Sequence, residues 1–289
     1  MLKIEPRLLL LLILLLPNHS WAAREWFTEQ TSIIRAHKAL LEGDLKQSFD
    51  SMVEAWQSNP EPYEKEHLDG LLLKGLDVDC GRGFDPSGYP HWLDKLTIQR
   101  QEVQNTGRLS YSLNIDVLTT LDINKLSFIR WPSRSLLTHA KLTNEKVNDK
   151  YHNNSQIDLN TEIESGLYKI QLETTSGKNW EHWVILASPN NEQSVRWKSK
   201  DSWIIDKTAL LNRYCPLPVL DVMLYGILDG DYKKVWSEEY ESNYPKTVPA
   251  SNLPANRYLL GVSMTHKHWQ GLISIEYKQV INKTYDLSN

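Results

Sequence analysis

The apolar residues of this chain change their period once, and that switch limits the available folds more than any other feature. Up to about residue 78 they recur at helical spacing; from Leu96 onward they alternate in short runs. Leu45, Phe49, Met52, Val53 and Trp56 mark one face of a helix. Asp44, after Gly43, is a suitable N-cap, and Asn59-Pro60-Glu61-Pro62 stops the helix because proline cannot continue the hydrogen-bond ladder. Ile33, Ile34, Leu40 and Leu41 predict a helix before it; Leu68, Leu71, Leu72 and Leu76 predict one after. Three helices fill an expected helical domain at 23–94.

The remainder reads as strands separated by turn residues such as Asn105-Thr106-Gly107. The clearest hairpin runs from Ile163 to Leu186, where Tyr168, Ile170 and Leu172 alternate with Leu167, Lys169 and Gln171 before Thr175-Ser176-Gly177-Lys178 turns the chain. Asn256 to Val262 echoes Gly166 to Leu172, with Trp269 answering Trp180 and Val219 to Leu224 answering Leu113 to Val117. The fold expected is α+β: a three-helix segment, then two immunoglobulin-like antiparallel β-sandwiches at 95–187 and 204–289, joined by a linker at 188–203. Two hairpins of one larger sandwich is the alternative. Tyr168 and Tyr258 are expected at strand corners, with hydroxyls returning to backbone.

Residues 1–22 read as a secretory signal. Lys3 and Arg7 precede the apolar run Leu8 to Leu16, Pro17 ends it, and Ser20 and Ala22 supply small side chains before cleavage after Ala22. The run is far below the ~20 residues a membrane-spanning helix needs, so no membrane insertion is expected after cleavage. A periplasmic or secreted address follows. Losing Lys3, Arg7 and Glu5 takes the formal charge from −4 to −5, which argues against nucleic acid and against docking on anionic lipid.

Two cysteines, Cys80 and Cys215, read first as a bridge in an oxidising compartment, with a reactive thiol as the rival. The bridge would clamp the helical part onto the C-terminal half. Motifs such as H-E-x-x-H, G-x-S-x-G or a phosphate loop are missing, which lowers the odds of an enzyme. His266 and His268, expected at a hairpin tip, and His182 at the comparable place are weak metal candidates, and no cofactor is expected. Asp77, Asp79 and Asp85 resemble the start of a calcium loop without its later ligands. Trp131, Trp180 and Trp269 are candidate ligand-binding residues, since exposed indoles offer flat apolar faces to sugars.

Residues 43–60 resemble one tetratricopeptide repeat. Gly43-Asp44-Leu45 matches its turn, Ser48 and Ala55 its small positions, Phe49 and Met52 its bulky ones, and Pro60 its close; Arg35 departs from the pattern. A lone repeat cannot bury its own face, so a three-helix cap packed on the neighbouring domain is expected. Over nearly the whole mature length, Asp79-Cys80-Gly81-Arg82-Gly83, Trp131-Pro132-Ser133 and the tyrosine-centred hairpin resemble an uncharacterised family of exported γ-proteobacterial proteins, a domain of unknown function. That resemblance implies a periplasmic address and assigns no catalytic residues. The expected role is a non-enzymatic interaction or accessory protein of the cell envelope, its partner another envelope protein. The alternatives are a carbohydrate- or peptidoglycan-binding protein using the tryptophans, and a metal-assisted hydrolase built on His182, His266 and His268.

Overall fold

The computed structural model describes residues 31–85, 88–132, 134–138, 143–188, 193–228, 231–249 and 253–287. The expected signal at 1–22, its cleavage point at Ala22, and Ser133 lie outside the described residues. Helices α1 (Ser32–Glu42), α2 (Leu45–Gln57) and α3 (Pro62–Asp79) precede fourteen strands among the described residues. Gly43 ends α1 in the left-handed region, and the Asp44 carboxylate accepts from Gln47 N at 2.9 Å to start α2. Ser48 is buried where the helices approach closely, and its hydroxyl donates to the Ala36 carbonyl at 2.9 Å.

Strands β1 (Leu93–Asn105), β2 (Arg108–Thr119), β5 (Thr143–Val147) and β6 (Lys150–Leu159) join β11 (Val219–Leu228), β12 (Asp231–Tyr240), β13 (Asn256–Gln270) and β14 (Ile273–Leu287) in one eight-stranded sheet. Its order is β12-β11-β13-β14-β1-β2-β6-β5. A four-stranded sheet, β4-β3-β7-β8, contains β3 (Ile123–Arg130), β4 (Arg134–Thr138), β7 (Gly166–Thr174) and β8 (Asn179–Leu186); β9 (Gln193–Trp197) and β10 (Trp203–Lys207) form a third. The small sheets cover two stretches of one face of the large sheet. Leu96, Ile98, Ile115 and Ile275 meet Phe128 and Ile170 in the first core; Leu220, Val262 and Ile281 meet Val195 and Trp203 in the second.

The chain is therefore α+β, but its strand-rich halves are not two separate bodies. β14 runs parallel to β1, with Thr97 opposite Ser274 and Gln104 opposite Ile281, so the last strand of one half extends the sheet of the other. Nothing in local periodicity reports a pairing between residues so far apart in sequence. The stretch 188–203, read as a linker, carries β9 and the first residue of β10. The echo of Leu113–Val117 in Val219–Leu224 is displaced: β11 pairs with hairpin strand β13 as β3, not β2, pairs with β7. The tyrosines behave as expected. Tyr168 donates to Glu164 O at 2.6 Å and Tyr258 to Pro254 O at 2.8 Å.

The helical cap covers Leu167, Ile185 and Ala187 at the outward face of β7–β8, meeting Phe49, Trp56 and Leu72. Its second anchor is the turn after α3. There Cys80 O accepts from Trp269 N and Gly81 O from Gly271 N, both at 2.9 Å. The Arg82 guanidinium lies 3.8 Å over the Trp269 ring, and Cys80 is bonded to Cys215. Gly81 takes φ +84°, where a Cβ would come within 2.0 Å of the Trp269 carbonyl oxygen. Only glycine satisfies both the left-handed backbone and that approach.

Two outcomes follow from this anchor. Gly81→Ala should lower the unfolding free energy by about 3 kcal/mol or more in urea denaturation, against about 1 kcal/mol for Gly107→Ala, whose left-handed turn is open. Reducing the disulfide should cost up to ~5 kcal/mol on the chain-entropy account, read by the same titration with and without reductant.

Candidate functional site

Between the two cores the covered face of the large sheet turns polar. On β1 the inward series Leu96, Ile98 continues with Arg100; on β13, Leu260, Val262, Met264 continues with His266 and His268; on β14, Ile273, Ile275 continues with Tyr277. The register aligns them: Arg100 stands opposite Tyr277, and Tyr277 opposite His266. Helix α3 (Leu72, Leu73, Leu76) and the segment 211–218, tied by the disulfide, roof this gap and leave a cavity of about 290 Å³. Asn212 adds a second tie, its Nδ2 donating to Leu76 O at 2.8 Å.

Arg100 is 6% exposed. Its Nη1 donates to Ala187 O at 2.7 Å, while its enclosed Nε has no acceptor. Burial lowers its pKa; the nearby Tyr168, Glu162, Tyr277 and Asp69 oppose that, but no carboxylate among the described residues forms an ion pair with it. Asp69 on α3 has its own carboxyl pushed up, mainly by burial. Tyr277 donates to the Glu102 carboxylate at 3.0 Å, with the Arg100 guanidinium 6.0 Å from its ring centre.

His266 Nε2 donates to the Gln193 carbonyl at 2.7 Å, so the neutral ring carries its free lone pair on Nδ1. Burial pushes His266 down, and it pushes His268 down to about 3, with the Arg100 charge acting in the same direction. Neither sits at a hairpin tip, because the turn falls later, at Gly271-Leu272. His182 is elsewhere, 3.4 Å from the Asp85 carboxylate and stacked on Trp180, its pKa lowered chiefly by burial. The three histidines thus do not converge, and among the described residues no group of three or more His, Cys, Asp or Glu side chains is placed to hold a metal. The acids of the calcium-like stretch also separate. Asp79 accepts from Gly81 N and Gly83 N, Asp85 faces His182, and Asp77 lies at the cavity rim.

The three tryptophans are apart as well. Trp131, 40% exposed, stands edge-on to Trp183 and donates from Nε1 to Gln57 O at 3.2 Å. Trp180 packs on the first core beside Tyr89, and Trp269 lies beneath Arg82. Trp180 does border a second, open groove of about 330 Å³ with Lys125, Ser127, Gln171, Glu173, Asn179 and Glu181. Arg100 and Tyr277 were not singled out from sequence. A signal existed: the period-2 series that places Leu96 and Ile98 inward places Arg100 inward too.

A family model described as "Protein of unknown function (DUF2861)" matches residues 26–286, and the chain belongs to that family. A search of curated proteins gives no match.

The histidines set an acid sensitivity. Unfolded, they take up protons near pH 6.5; folded, they do so only at lower pH, down to about 3 for His268. Stability should therefore fall as pH drops below about 6.5, seen as a decreasing urea midpoint from about pH 7.5 to about 4.5. The His268 ring resonance should stay in its neutral position across that range in an NMR titration.

Proposed function

We propose that this chain is an exported, non-enzymatic binding protein of the cell envelope, whose helical cap and β body enclose a recess for a small ligand. The observation that carries the reading is Arg100: a buried cation lining a cavity, with no carboxylate among the described residues in ion-pair contact with it. Such a group costs stability unless it is completed, and convergent polar groups in a recess are what orient a ligand. At about 290 Å³ the recess lies near the lower end of the ~300–1,000 Å³ typical of ligand pockets, so the ligand is small.

The scaffold supports this reading. β1-β2-β6-β5 facing β8-β7-β3-β4 follows the A-B-E-D and G-F-C order of an immunoglobulin-like sandwich, and the Tyr168 and Tyr258 hydroxyl bonds are those of a tyrosine corner. β9 to β14 would be a reduced second unit. The close α1–α2 pair around Gly43 favours a tetratricopeptide-like hairpin. Export is supported by the disulfide and by the basic start, apolar run and small residues before Ala22. Among the described residues no helix is long and apolar enough to cross a membrane.

One observation favours a second reading, a glycan-binding protein: the groove beside Trp180, where amide, hydroxyl and carboxylate groups line up at an aromatic edge.

Thermal-shift measurements of the mature protein separate the two. On the first reading, small molecules extracted from the envelope should raise Tm, and Ser188→Trp, which projects an indole into the mouth of the cavity, should abolish the shift. No shift with any fraction, or a shift that survives Ser188→Trp, would sink it. A shift with oligosaccharides that is lost in Gln171→Ala and kept in Ser188→Trp would favour the glycan.

A further inference from the structure

We propose that the ligand of the cavity is a small monocarboxylate on a short apolar arm, held by Arg100; this rests on the ligand-binding reading above and names its chemistry. Arg100 uses Nη1 on the Ala187 carbonyl. The guanidinium lines the cavity, and its unpartnered Nε and the adjacent Nη2 point in parallel and match the two oxygens of one carboxylate, which meets the enclosed Nε once the guanidinium turns toward the cavity.

The charge inventory of the walls limits the anion to a single charge. Of the cations lining the cavity among the described residues, Lys267 lies 3.4 Å from the Glu276 carboxylate, and both histidines titrate below their ordinary range. That leaves one positive charge, on Arg100, with Asp69 and Glu162 near enough to act on it but no carboxylate in ion-pair contact among the described residues. Asp77 at the rim repels a second negative one, which disfavours phosphate esters and dicarboxylates. The two roofing elements supply apolar surface, Leu72, Leu73 and Leu76 from α3 and Leu211, Pro216 and Pro218 from segment 211–218, with Ser188, Asn212 and Tyr277 as neutral polar groups among them. A desolvated guanidinium at one side and leucine and proline walls at the other fit an acid with a hydrocarbon arm.

Calorimetric titration of the full mature protein, disulfide intact, tests this with hexanoate, hexanol, hexylamine and adipate. Hexanoate should bind at least about tenfold more tightly than hexanol or adipate, because a charge-assisted pair is lost in one and a second charge is unmatched in the other. Hexylamine should not bind. In Arg100→Gln, hexanoate and hexanol should become equivalent; if that variant does not fold, the wild-type ranking alone decides. Hexanol binding as tightly as hexanoate would overturn the proposal. If none of the four binds while an envelope fraction still gives a shift that Ser188→Trp removes, the carboxylate is refuted and the wider binding reading stands. Titrating N-acetylglycylleucine beside hexanoate assigns the carboxylate to a peptide end or to a free short acid, and binding of either one supports the proposal.

Discussion

The parallel pairing of β14 with β1 is the constraint from which the rest of the structure follows. It joins strand-rich halves, each with its own core, into one continuous sheet. Each half keeps its own cover, the four-stranded sheet over one stretch and β9–β10 over the other. Where two covers sit on one face, a seam opens between them, and residues in the seam cannot be apolar without partners. Arg100, Tyr277 and His266 fill it as a row across three adjacent strands. The cavity is thus a product of topology.

The cap works in the same seam. Gln270, buried, accepts from Ile185 N and donates to Ile185 O, and Arg100 reaches Ala187 O, so side chains from the large sheet complete the free edge of β8. Edge groups that would otherwise be buried and unpaired are thereby satisfied. Above them the α3–Gly81 turn locks onto the β13–β14 hairpin by two backbone hydrogen bonds and a stacked guanidinium, while the disulfide ties it to the segment 211–218. These contacts hold α3 at the height that makes a recess instead of a closed core.

Much of this was legible from residues alone because it is local. The Gly43–Asp44 turn, the hairpin around Thr175–Lys178, the tyrosine hydroxyl bonds and the Cys80–Cys215 bridge each rest on short-range chemistry or on a count of two. The shared sheet was not legible, since pairing Thr97 with Ser274 leaves no mark in either segment's alternation. The site was half legible. The echo of Gly166–Leu172 covers only Asn256 to Val262 and leaves His266 and His268 at a turn, whereas the alternation carried on through Met264 puts both on the inner face. Trp269 read as a free indole because nothing near it in sequence announces Arg82.

The position of β14 in the chain also bears on the order of events during biosynthesis. A polypeptide made or delivered N-terminus first presents β1 long before its parallel neighbour exists, with one side of that strand's backbone waiting for the final stretch of chain. Cys80 likewise waits for Cys215. Until both arrive, the early half carries an open strand edge and an unpaired thiol, the combination on which holding chaperones and thiol oxidoreductases act. A truncation that removes only the last strand would therefore leave the first half exposed as well, and proteolysis should register the loss at both ends of the molecule.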